Sequence, residues 1–210
     1  MIYPILPKQI DISTYDINVY LSHNDLIENS HFSNQNIKPL ELSELEIKNS
    51  IFEKVNFCTS KLEKAYFFNS VFKNCDFSNV TLSKSTFKRV SFENCRFTGT
   101  DFSYSLFDNV EFKECSATNA FFDICKISST NILSTKLNSS SIKESTLKNL
   151  IINNCDLTLC NFCKTSLKSL DLSTCTIDGI VIYSEDIKGV ILTSLQALEF
   201  TKILGIKIKD

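Results

Sequence analysis

The sequence predicts an all-β solenoid, a chain that turns a corner every five residues, coils four-sided and ends in a short α-helix. Three observations predict it. The first is phase: from Ile27 to Leu192 every fifth residue is apolar, 34 positions in a row, through Phe52, Phe57, Leu62 and Phe67 to Phe162 and Leu172. So long a repeat outranks any local signal. Five residues turn an α-helix by about 500°, which scatters these positions around its axis. On a continuous strand an odd period sends them to alternate faces. A corner after each pentad removes both conflicts, because every side then faces one interior. The second observation is the position two before each apolar residue, which is small: Val55, Ser60, Ala65, Ser70, Cys75 and Val80, continuing to Cys125. Residues two apart on a short strand point the same way, so each pentad puts one large and one small residue inside and three outside. The third is a 20-residue recurrence: Cys75, Cys95 and Cys115 share the small position, as do Cys155 and Cys175. That spacing gives four sides per coil and stacks Phe52, Phe72, Phe92 and Phe112 in one ladder.

In chain order, residues 1–26 read as an N-terminal cap segment, 27–192 as the β-helix and 193–210 as a C-terminal helix and tail. Coils hydrogen-bond to their neighbours, so both ends of the rod need covering. At the C-terminal end the phase stops at Leu192, Thr193 or Ser194 can cap a helix, and Gly205 suits its stop. Leu195, Leu198, Phe200, Ile203 and Leu204 give that helix an apolar side, followed by Ile206 and Ile208. The tail has two readings: it folds back and only caps its own rod, or it caps and joins a second rod, since an apolar end invites a two-fold partner; in the second reading these seven residues are the dimer interface.

Bulk composition excludes several classes. Apolar residues make up 43% and charged residues 22%, so disorder is not expected. The net charge of −2 sets up no bulk field toward nucleic acid or membrane. Four glycines and three prolines encode few abrupt loops. Met1-Ile2-Tyr3-Pro4 opens no signal peptide, and no apolar run nears the roughly 20 residues of a membrane span. The nine cysteines then read as cytosolic thiols, and the expected location is cytoplasmic.

No catalytic chemistry emerges. His23 and His31 pair with no recognisable nucleophile, and no glycine-rich phosphate loop exists. Cys155, Cys160 and Cys163 have a C-x4-C-x2-C spacing seen in iron–sulfur proteins. The repeat points the first two inward on adjacent sides and the third outward, so their sulfurs do not converge. The expectation is no enzyme, no cofactor and no metal, with Cys58 and Cys163 as the outward thiols. Tyr66, Phe68, Tyr104, Phe121 and Tyr183 occupy outward positions and are the candidate partner surface, since aromatics dominate interface hot spots. Outward charge is mixed: residues 1–46 carry seven acids against Lys8 and Lys38, whereas one side carries Lys88, Arg89, Lys126, Lys148, Lys168 and Lys188 against Asp108 and Asp186.

Runs such as Cys75-Asp76-Phe77-Ser78-Asn79 and Thr100-Asp101-Phe102-Ser103-Tyr104 resemble the pentapeptide-repeat family's pattern of small residue, Asp or Asn, Leu or Phe, then two polar residues. The resemblance covers about four-fifths of the chain and implies a right-handed quadrilateral β-helix. The tail, Gln196-Ala197 through an apolar helix to Leu204-Gly205-Ile206, resembles the quinolone-resistance (Qnr-type) members, in which this segment joins two rods. Tyr3-Pro4 and Pro7 before a degenerate first coil resemble members from Gram-positive bacteria, and the unbroken phase matches the loop-free type. This resemblance implies a cytosolic homodimer that binds DNA gyrase and topoisomerase IV and protects them from quinolones. It also implies DNA mimicry as a mode of binding, with no direct contact to nucleic acid. The other reading is a protein-interaction scaffold with a different partner.

Overall fold

A corner every five residues requires a backbone reversal that ordinary strand dihedrals do not supply. In the computed structural model, which describes residues 1–7, 10–12 and 16–207, it comes from the left-handed region. Every fifth residue from Glu44 to Ser169 has φ between 47° and 68°. Glycine fills that position only at Gly99 within this run, and asparagine is the commonest occupant, as at Asn69, Asn74, Asn79 and Asn94. Asparagine tolerates this region better than other side chains. The scarcity of glycine therefore did not mean a scarcity of turns. Asp and Asn just before the apolar residue serve the same corner. Asp76, Asp101, Asp156 and Asp171 each accept a hydrogen bond from the backbone N–H two residues on, at 2.9–3.0 Å.

The result is a parallel β-solenoid whose neighbouring coils register 20 residues apart. Phe67 pairs with Phe87 and then Phe107, and Phe52 pairs with Phe72, Phe92 and Phe112 in turn. The four sides are named here by their inward residues Phe52, Phe57, Leu62 and Phe67. In the middle of the rod the Phe67 and Phe52 sides merge into eight-residue strands, Tyr66–Lys73, Thr86–Glu93 and Leu106–Lys113. The Phe57 and Leu62 sides pair through single bridges such as Asp76↔Arg96 and Asp101↔Phe121.

The large inward residues from Ile27 to Leu192 are buried except Leu42, Leu147, Ile187 and Leu192, which are partly covered. Rings stack along the axis: Phe52–Phe72 at 4.9 Å, Phe72–Phe92 at 5.1 Å and Phe57–Phe77 at 4.4 Å between centroids. Between columns they meet edge to face, as in Phe77–Phe92 at 88° and Phe92–Phe97 at 89°. Both geometries suit the aromatic quadrupole. Small inward positions satisfy the corner amides. Ser85 N–H donates to Ser105 Oγ at 3.0 Å, and the Ser105 hydroxyl donates to the Leu82 carbonyl at 3.0 Å. A buried hydroxyl with both bonds made costs little.

The ends are closed differently. At the N-terminal end, Asp11–Ile12 adds a short parallel strand beside Ser30–Ser33, and helix α1 (Ile17–Leu21) buries Ile17 against the first coil. Residues 1–7 lie back along the rod. Ile5 N–H donates to Asn69 Oδ1 at 2.6 Å, and Asn69 Nδ2 donates to the Ile5 carbonyl at 2.5 Å. Ile2 N–H donates to Asn109 Oδ1 at 2.7 Å. Glu111 accepts from the Tyr3 hydroxyl at 3.3 Å, and its negative charge raises the Tyr3 pKa. At the C-terminal end lies helix α2 (Ser194–Ile203). No helix among the described residues is long and apolar enough to cross a membrane.

Candidate protein-interaction surface

Helix α2 is held by reciprocal hydrogen bonds. Gln196 N–H donates to Thr193 Oγ1 at 3.2 Å, and Thr193 N–H donates to Gln196 Oε1 at 2.8 Å. This capping box satisfies two amides at once. The remaining Gln196 N–H groups donate to the Leu172 and Cys175 carbonyls, both at 2.8 Å, and so tie the helix to the last coil. Gly205, at φ +68°, ends it.

The seven apolar tail residues then divide. Phe200 is buried in the core and Ile203 is partly buried against it. Leu195, Leu198, Leu204 and Ile206 face out, with Leu195 79% exposed. Ile208 lies outside the described residues. The exposed four, with Ile191 beneath them in the chain, leave an apolar end on the rod.

The five outward aromatics occupy two adjoining sides. Tyr66 and Phe68 sit on the Phe67 side and are half-buried, their rings 6.0 Å apart. Lys48 Nζ lies 5.8 Å from the Tyr66 ring centre, and the Arg89 guanidinium lies 4.5 Å from that of Phe68. These cations cover the rings and attract them. Tyr104, Phe121 and Tyr183 are exposed on the Leu62 side. Tyr104 N–H donates to the Asp123 carbonyl at 2.9 Å, which sets it one coil below Ile124. Ile124 and Leu106 are exposed as well: Ile124 stands one coil above Tyr104 at the corner, Leu106 follows Tyr104 on the next side, and Phe121 precedes Ile124 on the Leu62 side. Sequence reading missed Ile124. Its signal was an apolar residue at the corner position, where φ is +57° and a β-branched side chain is strained.

Charges pair along the axis. Lys61 meets Glu41 at 2.5 Å, Lys164 meets Glu144 at 3.0 Å, and Lys73 and Lys113 flank Glu93 at 3.9 and 3.7 Å. Each pair spans one 20-residue step, so acids on these sides face cations rather than line up as a stripe. Such exposed pairs add little to stability.

The cysteines behave as core residues. Cys75, Cys95 and Cys115 are buried, and their thiols donate to the Phe52, Phe72 and Phe92 carbonyls at 3.4–3.5 Å. Cys155 and Cys160 are buried on adjacent sides and Cys163 is half-exposed. Among the described residues no group of three or more His, Cys, Asp or Glu side chains could hold a metal ion. Burial, then the Asp76 carboxylate, pushes the Cys58 thiol up to about 11. Its thiolate is scarce at neutral pH. Iodoacetamide at pH 7 is therefore expected to modify Cys163 before Cys58, with Cys58 accelerating as pH rises toward 11. Peptide mass spectrometry showing Cys58 labelled first at pH 7 would contradict this.

The family described as "Pentapeptide repeat region" matches residues 45–122 and, in a second alignment, 65–142. No curated protein matches the chain. Among solved structures, a trypsin-treated variant of QnrB1, a plasmid-mediated fluoroquinolone resistance protein, is 16% identical, with 88% of this chain and 99% of that chain covered and a TM-score of 0.43. HetL, a pentapeptide repeat protein involved in heterocyst differentiation regulation from Nostoc sp. strain PCC 7120, is 11% identical over 85% and 95% of the two chains, with a TM-score of 0.42. A pentapeptide repeat protein from the Arabidopsis thaliana thylakoid lumen is 24% identical over 52% and 72%, with a TM-score of 0.38. At these identities the likenesses say nothing about what this chain binds.

Proposed function

We propose, from the pentapeptide-repeat match over residues 45–142, a non-enzymatic protein that binds DNA gyrase and topoisomerase IV and protects them from quinolones. The observation that carries this reading is the C-terminal end. Its Gln196-Ala197 to Leu204-Gly205-Ile206 pattern, which resembles the Qnr-type tail, folds as a capped helix that leaves Leu195, Leu198, Leu204 and Ile206 exposed. Two rods joined through these residues form a long homodimer with its sides free for a large partner. Binding is surface to surface and uses no cofactor. The exposed group at Tyr104, Phe121 and Ile124 supplies apolar anchors of the kind that dominate protein interfaces. Axial pairing of acids with lysines gives little support to a phosphate-like stripe, so we place the contact on this apolar group rather than on mimicry of DNA charge.

A second reading keeps the architecture and changes the partner. It is favoured by that same charge pairing and by the uninterrupted phase, which leaves no loop projecting from the repeats. A pull-down with purified gyrase and topoisomerase IV separates the two. Retention of either enzyme, weakened by Phe121→Ser, is the expected result. Reproducible absence of both supports the scaffold with another partner.

A further inference from the structure

In a solenoid only the two ends should carry unpaired strand edges. This rod carries a further pair within its length. Strands Thr146–Lys148 and Ile151–Asn153 pair with the coil below, Lys126–Ser128 and Asn131–Leu133. Among the described residues no backbone hydrogen bond joins them to residues 166–173 of the coil above. On the other two sides the same two coils are fully bonded: Leu157 N–H to the Thr176 carbonyl at 2.8 Å, and Phe162 N–H to that of Val181 at 2.7 Å. Above the gap the ladder resumes, with Ser169 N–H on the Gly189 carbonyl at 2.8 Å. The rod is thus splayed along one edge, where the Phe67 and Phe52 sides meet.

The cause lies at the small inward position of that edge. Lower coils place Ser50, Ser70, Val90, Val110 and Thr130 there, whereas these two coils stack Leu150 on Leu170. Overfilling a slot shaped for smaller residues forces backbone apart. Leu147 and Leu150 are consequently only half-buried, unlike their counterparts below. Two cavities open beside Leu150. One, of about 160 Å³, is lined by Leu147, Asn149 and Lys168; the other, of about 210 Å³, by Ile151, Asn153 and Asp171.

We propose that this seam is a docking site for an extended, acidic segment of a partner protein, which adds as a strand along the free backbone groups of its two lips. Unpaired edges recruit strands by main-chain hydrogen bonding, and pockets for alternate side chains give selectivity. Leu147 and Leu150 offer the apolar contact. The charge is set by Lys126, Lys148, Lys168 and Lys188, all exposed on the Phe67 side and none in an ion pair among the described residues. Two carboxylates lie nearby and are outnumbered by these four lysines: Asp186 Oδ2 accepts from Lys164 N–H at 2.9 Å, and Asp171 Oδ1 from Ser173 N–H at 2.9 Å. The seam starts one coil above Ile124, with Lys126 bordering both surfaces, and the proposal does not depend on which partner the Tyr104 group binds.

The test is amide hydrogen exchange on the full chain, with a capped hexapeptide alternating valine with aspartate and a lysine-for-aspartate control. In the free protein the amides of Asn149, Ser166 and Asp171 are expected to exchange faster than those of Leu157 and Phe162. The acidic peptide should slow them at least about tenfold and the lysine peptide should not. The exposed double variant Lys148→Glu/Lys168→Glu should reverse that preference while keeping the fold. Leu150→Val/Leu170→Val should shut the seam and abolish protection by either peptide. The proposal is overturned if seam amides in the free protein are already as slow as Leu157 and Phe162. It is also overturned if both peptides protect equally, or if neither does at millimolar concentration.

Discussion

Phe92→Asp is expected to abolish cooperative melting of the rod. Phe92 is 1% exposed and lies at the centre of the aromatic core. Its ring stacks on Phe72 and Phe112, each at 5.1 Å, and meets Phe77 and Phe97 edge to face. Losing a buried phenylalanine costs about 3–5 kcal/mol. A carboxylate in its place finds no cation, because the buried residues around it are apolar or carry only neutral hydroxyls, and it adds a penalty of several kcal/mol. The sum reaches the whole stability of an ordinary domain, about 5–15 kcal/mol. Coils contact only their neighbours, so a failed coil also uncouples the stacks on either side. Circular dichroism on heating measures the effect. Tyr104→Asp, at an exposed corner, is the control and should melt as the parent does. An unchanged curve for Phe92→Asp would contradict the inward assignment.

Leu198→Arg is expected to convert the proposed end-to-end dimer to monomers. Leu198 is 48% exposed in the isolated chain and stands beside Leu195, Leu204 and Ile206 on the apolar end. Covering a leucine gains about 1.5–3 kcal/mol, and a two-fold interface uses it twice. Removing both copies costs about 3–6 kcal/mol, a weakening of roughly a hundredfold to ten-thousandfold. The introduced arginines also oppose each other across the axis. Phe200 and Gln196 keep the helix on its rod, so the melting transition should persist. Multi-angle light scattering reads the outcome. A parent that is already monomeric, or a variant that stays dimeric, contradicts the interface.

The two predictions draw on parts of the molecule that differed in how clearly the sequence announced them. The four-sided coil was legible because burial is periodic. Phe52, Phe72, Phe92 and Phe112 repeat at 20 residues, and nothing but a stack satisfies that spacing. The Thr193–Gln196 cap was half legible: the capping residue could be read, whereas Gln196 reaching the Leu172 and Cys175 carbonyls could not. Corner conformations were hidden because many residue types accept the left-handed region when stacking repays its cost, as Lys84, Ile124 and Leu159 do. The N-terminal strap was hidden for another reason. Asn69 and Ile5 are 64 residues apart, and a side-chain amide bonding to backbone carries no local pattern. Among the surface residues, Tyr66 and Phe68 were expected at outward positions, and the structure shows them half-buried with Lys48 and Arg89 over their rings. The seam stayed invisible because Leu150 and Leu170 obey the apolar rule and break only the volume rule.

The measurement that tests the functional account most directly is DNA supercoiling by gyrase held at an inhibitory ciprofloxacin concentration and titrated with the purified protein. The account predicts that supercoiling returns as protein is added, that drug-free activity is not stimulated, and that Phe121→Ser weakens the rescue. Unrelieved inhibition across the titration, for gyrase and topoisomerase IV alike, would contradict it.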